Sequence, residues 1–164
     1  MLDLTPEILR GCLRYDTSTG KFTWKRRTGG RATTGVAAGS VTEKGYLEIG
    51  LGRKIYKAHR LAWLYVYGVW PTGEIDHIDG DKLNNAIRNL RDVPRRANQQ
   101  NQRKALGART NGLLGATHHK ATGKWRSRLW VDGRNISLGL YETAEEAHKA
   151  YIEAKRKHHE GCTL

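Results

Sequence analysis

The spacing of apolar positions changes several times along the chain, and each change predicts an element. Thr5-Pro6-Glu7 supplies an N-cap residue, a proline at the first helical position and an acid in the first turn. Ile8, Leu9, Cys12 and Leu13 follow at helical spacing. Asp16 to Gly20 is a turn, and Lys21-Phe22-Thr23-Trp24 alternates as a strand does. Gly45 to Gly50 and Arg53 to Lys57 are further strand candidates. From Ala58 to Tyr67 the period becomes helical again, with Leu61, Leu64 and Tyr65 on one face. Asn89 to Val93 reads as a short return strand, and Pro94 opens a helix that runs from Arg95 to about Arg103. Lys104 to Gly112 is polar, holds two glycines and reads as a linker.

The remaining residues form a tighter pattern. Gly115 to His118 is a strand candidate, Ala121-Thr122-Gly123 a turn, and Lys124 to Val131 alternates strictly. Asp132-Gly133 is a hairpin turn leading into a third strand, Arg134 to Leu140. Thr143 and Glu146 make a capping box for a helix ending near His158. The pattern predicts an α+β fold: residues 1–103 as one domain, 104–112 as linker, and 113–164 as three antiparallel strands packed on one helix.

Charge changes this picture more than composition does. The 164 residues hold 29 Lys and Arg against 16 Asp and Glu, a formal net charge of +13. Residues 1–103 carry 18 basic and 10 acidic side chains, net +8, and residues 104–164 carry 11 and 6, net +5. Both parts are basic, which implies a polyanionic partner, most simply nucleic acid. No apolar run is long enough for a membrane span, and the acidic N-terminal stretch is not a secretory signal. The two cysteines, Cys12 and Cys162, form neither a disulfide framework nor a Cys-x-x-Cys zinc motif, so a cytoplasmic setting is expected.

One segment stands apart. Glu74 to Asn85 is crowded with short polar side chains that favour turns, and it contains Asp76-His77. A histidine titrating near neutrality can take a proton from water, and a carboxylate is a hard ligand for Mg²⁺. The pair therefore suits metal-assisted phosphodiester hydrolysis, while an exposed turn is the plain alternative. Neighbouring strand residues face opposite ways, so a working pair requires a turn, a bulge or a bridging metal. His59 has two readings, a phosphate contact or a buried, hydrogen-bonded ring. Lys25, Arg26, Arg27 and Arg31 form either a phosphate-facing loop or a solvated charge run.

The stretch Ile75-Asp-His-Ile-Asp-Gly-Asp-Lys-Leu-Asn-Asn-Ala-Ile-Arg-Asn-Leu-Arg, after Ala58-His-Arg-Leu-Ala-Trp, resembles the HNH homing endonucleases. The resemblance covers roughly residues 1–103 and is most specific through 58–98. It implies a ββα-metal finger around one divalent ion, Mg²⁺ or Mn²⁺. It implies His77 as general base, Asp76 and Asn98 as metal ligands, and Asn89 as the residue that supports the loop and orients the base. Asn84 and Asn85 compete with Asn89 for the loop-supporting role.

Gly123-Lys-Trp-Arg-Ser-Arg-Leu-Trp, the later Ser-Leu-Gly, and Tyr-Glu-Thr-Ala-Glu-Glu-Ala-His-Lys-Ala-Tyr look like the apetala/ethylene-response-factor DNA-binding domain. The resemblance implies a three-stranded sheet that reads the major groove. Arg126, Arg128 and Trp130 share one face of their strand, with Trp125, Ser127, Leu129 and Val131 on the other. Lys124, Arg126, Arg128 and Trp130 are the expected DNA contacts, joined by Arg26 and Arg27 in the first domain. Asn135 and Ser137 stand where that family carries Arg and Trp, so sequence preference should differ.

The expectation is a metal-dependent endonuclease acting on double-stranded DNA, with the C-terminal module docking on the duplex. The alternatives are a non-cleaving DNA-binding regulator and a ribonuclease or nonspecific nuclease. A double-strand break requires a homodimer or two successive nicks.

Overall fold

Thr5 caps the first helix through its hydroxyl, which accepts from the Ile8 N–H at 3.3 Å. The helix α1 (Pro6–Cys12) buries Leu9 and Cys12 and stops one residue short of the apolar run. Leu13, expected on that helical face, instead opens strand β1 (Leu13–Tyr15), which pairs antiparallel with β2 (Phe22–Trp24). The computed structural model describes residues 4–27, 33–95, 98, 112–159 and 162. It has a mixed α+β architecture of small antiparallel sheets and short helices. Two compact units divide it, Met1–Pro94 and Arg95–Leu164. The expected linker lies outside the described residues except for Gly112.

In the first unit, β3 (Ser40–Val41), β4 (Leu47–Leu51) and β5 (Lys54–Lys57) form a meander. The two-residue β3 is too short to leave a pattern in the sequence. The helix α2 (Ala58–Tyr67) follows β5 directly and matches its expected span. It turns Ala58, Leu61, Ala62 and Leu64 inward and ends at Gly68, whose φ of 75° suits a glycine. Leu9, Leu13, Phe22, Ile49, Leu61 and Leu64 are the fully buried centre of this unit's core.

Strand β6 (Glu74–His77) departs most from local expectation, because Glu74 to Asn85 reads as turn throughout. Its first four residues are extended because they pair with β7 (Leu90–Val93) in the register Asp76↔Arg91 and His77↔Leu90. Ion pairing across the register offsets the poor strand propensity of aspartate. Asp92, on β7, accepts from the backbone N–H groups of Thr72 and Gly73, each at 2.8 Å, and so fixes the chain entering β6.

The second unit follows the sequence closely. Strands β8 (Ala116–His119), β9 (Lys124–Val131) and β10 (Arg134–Tyr141) form an antiparallel sheet with β9 central. The hairpin turn places Asp132 and Gly133 at φ of 50° and 78°, the left-handed conformation that such turns require. The helix α3 (Ala144–His158) begins with both hydrogen bonds of the Thr143–Glu146 capping box. Ser127 and Leu129 are buried, whereas Arg128 and Trp130 are exposed. Trp125 packs with Ala116, Ala144 and Ala147.

Candidate active site

Asp76 and His77 are neighbours on a continuous strand, with no bulge in the β6–β7 register. Their side chains therefore leave opposite faces. Both are nevertheless buried, with 6% and 5% exposure, because β6 is covered on each side. Asp76 faces Arg91: its Oδ2 accepts from Nε at 2.8 Å and pairs with Nη2 at 2.7 Å. His77 faces a group of rings and the polar loop between the two strands.

That loop is built from side-chain bonds to backbone and to other side chains. The Asp79 carboxylate accepts from the Asp81 N–H at 2.8 Å, from Asn84 Nδ2 at 2.6 Å and from Asn89 Nδ2 at 2.9 Å. Asn89 Nδ2 also donates to the Asn84 carbonyl at 2.8 Å, and Asn89 Oδ1 accepts from the Asp79 N–H at 3.1 Å. Burial works to raise the Asp79 pKa, but the hydrogen bonds from Asn84, Asp81 and Asn89 and the nearby His77 outweigh it and hold the carboxyl below its ordinary value.

The two roles expected of Asn89 are divided between two residues. Asn89 supports the loop, with its carboxamide committed to Asp79 and Asn84. The His77 ring is met by Asn85, whose Oδ1 lies 3.2 Å from His77 Nε2. Because an amide oxygen only accepts, this bond puts the ring proton on Nε2 and, in the neutral ring, the lone pair on Nδ1. Asn85 itself is held from the N-terminal hairpin: the Tyr15 hydroxyl donates to the Asn85 carbonyl at 2.7 Å. Gly20, at φ 72°, packs so closely that a Cβ there would strike the Asn85 carbonyl carbon and the Ala86 nitrogen.

His59 is the buried ring of the two readings, not a phosphate contact, at 8% exposure. Its ring meets that of His77 edge-on at 5.1 Å, and Tyr46 lies 5.5 Å from His59 and 6.3 Å from His77. Burial first, then the charges of His77, Arg60 and Lys57, pushes the His59 pKa down to about 3. Burial also lowers that of His77, opposed by the Asn85 hydrogen bond and by the charges of Asp79, Asp76 and Asp81. Both rings are therefore neutral at neutral pH, which is the form that can accept a proton.

The Asp76 carboxylate in the first unit and the Asn98 carboxamide in the second are each oxygen donors of the kind a hard divalent ion takes. Arg91 engages Asp76 Oδ2. Among the described residues no group of three or more His, Cys, Asp or Glu is gathered as a metal site. One or two protein oxygens with retained water is the usual way Mg²⁺ is held. Asn98 is helical and half-buried, in the second unit. In the basic loop, Arg26 donates to Cys12 Sγ at 3.3 Å and Lys25 to the Arg10 carbonyl at 2.9 Å, and Lys25, Arg26 and Arg27 are all exposed. Arg31 lies outside the described residues. In the second unit, Lys124 pairs with Glu142 at 2.6 Å, and Trp130 is 63% exposed.

A family model described as HNH endonuclease matches residues 56–100, the span that holds α2, β6, the loop and β7. Protein 3.8 of Escherichia phage T7 is 32% identical over 110 residues, covering 58% of this chain and 90% of that protein. The chain belongs to the HNH endonuclease family. The HNH match spans Asp76, His77, Asn85, Asn89 and Asn98. APETALA2-like protein 2 of Oryza sativa is 34% identical over 55 residues, covering 34% of this chain and 13% of the plant protein. The chain thus spans a small fraction of that relative's length. A solved structure entitled "DNA binding and cleavage by the HNH homing endonuclease I-HmuI" aligns with a TM-score of 0.45 and 24% identity, over 92% of this chain and 89% of that one.

Among the described residues no helix is long and apolar enough to cross a membrane. Sequence reasoning missed Tyr15, Gly20 and Tyr46 as supports of the site. Tyr15 and Gly20 act across a long sequence separation and leave no local signal. Asn85 was visible only as one of several competing asparagines.

Proposed function

We propose that this HNH protein is a metal-dependent endonuclease that hydrolyses phosphodiester bonds of double-stranded DNA. The observation that carries the reading is the His77–Asn85 pair beside Asp76. The His77 imidazole is buried and neutral, with one nitrogen donating to Asn85 Oδ1. His77 Nδ1 takes the proton of the attacking water, and Asn85 keeps the ring turned while it becomes cationic. Asp79, Asp76 and Asp81 favour that cation electrostatically. Asn89 holds the loop that carries Asn85. Asp76, with Asn98 from the family resemblance, would hold a divalent ion, Mg²⁺ or Mn²⁺, which when bound supplies charge stabilisation at the leaving oxygen.

The second unit is read as the docking module. Arg128 and Trp130 are exposed on the face of β9 that is turned from the Leu129 side, and Arg126 shares their period. Arginine can reach guanine edges or phosphates, and an exposed indole suits a sugar or base contact. The setting is the cytoplasm of a host cell. Incubation with supercoiled plasmid and Mg²⁺ or Mn²⁺, followed by mapping of the ends, tests the reading. Nicked or linear product that EDTA abolishes is expected. Stable DNA binding without any cleavage in either metal would favour a non-cleaving regulator.

A further inference from the structure

The turn that follows β6 carries Lys82, and its ammonium is unusually well placed for a flexible side chain. Nζ donates to the Lys44 carbonyl at 2.9 Å and sits 4.6 Å from the centroid of the Tyr46 ring. Tyr46 in turn borders His77 and His59. The cation is thus held against the same ring that walls the candidate base.

A second ammonium, Lys57 Nζ, lies 4.8 Å from the Tyr46 centroid, but it is paired with Glu48 at 2.6 Å. Lys82 differs. The nearby acids of its loop are turned to the loop's own groups: Asp81 accepts from the Leu83 N–H at 2.9 Å, and Asp79 is filled by Asp81, Asn84 and Asn89. An ammonium has three donors, and the carbonyl of Lys44 takes one. A lysine side chain normally loses much rotamer freedom on binding, and here the ring and carbonyl have already restricted it.

We propose that Lys82 is a phosphate-positioning residue, gripping a DNA backbone phosphate near the one that His77-activated water attacks. The ammonium and the His77 ring lie against the same Tyr46 ring, 4.6 Å and 6.3 Å from its centroid. The role in cleavage rests on the nuclease reading above, whereas the phosphate grip does not.

The test uses the full chain and the variants Lys82→Met and Lys82→Arg. Binding to a short duplex is measured in EDTA across a salt series, and plasmid cleavage in Mg²⁺ or Mn²⁺. Loss of one phosphate contact should flatten the log–log salt slope by about 0.9 in Lys82→Met. Affinity at low salt should fall on the order of tenfold, KM should rise with it, and kcat should stay within severalfold. Lys82→Arg should restore the slope, which a merely structural role would not require. An unchanged slope in Lys82→Met, or a flattened slope that Lys82→Arg leaves flat, overturns the proposal. If the wild type cuts DNA and the slope is unchanged, the nuclease reading stands and this one falls. If the slope changes and nothing is cut, the grip stands and the nuclease reading falls.

Discussion

His77 is set up by two neighbours with different tasks. Asn85 fixes its tautomer at 3.2 Å, and His59 meets its ring edge-on at 5.1 Å between ring centroids. Burying two imidazoles has a consequence for stability. The His59 pKa falls from 6.5 to about 3 on folding, so below 6.5 the unfolded chain takes up a proton that the folded chain refuses. The contribution to stability is complete above pH 6.5 and is lost as pH falls through the window down to about 3. The slope from one such group is at most about 1.4 kcal/mol per pH unit. His59→Gln should flatten the dependence of the unfolding midpoint on pH within that window, read by thermal denaturation at several pH values. An equally steep dependence in the variant would mean that His59 is not the buried neutral group. At this scale the sequence was informative about identity and poor about partnership. Asp76, His77, Asn89 and Asn98 stand out by motif, whereas the choice of Asn85 over Asn89 to orient the ring depends on how the loop closes.

At the scale of elements, the β1–β2 hairpin acts as a brace for the loop that carries Asn85. The Tyr15 hydroxyl reaches the Asn85 carbonyl at 2.7 Å, and the Ile87 N–H donates to the Thr17 carbonyl at 3.1 Å. Gly20 closes the contact, and its positive φ and tight fit exclude a side chain. Gly20→Ala should destabilise the protein by about 1–3 kcal/mol and lower the cleavage rate through displaced Asn85. Chemical denaturation and plasmid nicking measure the two effects. Unchanged stability would show that the hairpin does not press on the loop. The elements most legible in the sequence are those with local signals. Among them are α2 with its apolar face, the Asp132-Gly133 hairpin and the helix capped by Thr143 and Glu146. Strand β6 was illegible by propensity, because Asp76 and His77 are extended through the Asp76–Arg91 pairing across the register and not by preference.

For the whole molecule, the net charge of +13 draws the chain to a polyanion, but only particular side chains turn attraction into recognition. On the second unit, Arg128 is the exposed arginine of β9, flanked by Trp130. Arg128→Ala should weaken binding to the target duplex by about 1–3 kcal/mol if the arginine reads a base, with the cleavage rate of bound DNA unchanged. Equal affinity for target and unrelated duplexes before and after the substitution would move recognition elsewhere. The most direct measurement for the whole account is the single-turnover cleavage rate of His77→Ala on DNA it has already bound. Loss of a general base should lower that rate by ~10²–10⁴ while the dissociation constant stays at the wild-type value. A variant that binds and cuts as the wild type does would remove His77 from the chemistry and contradict the account at its centre.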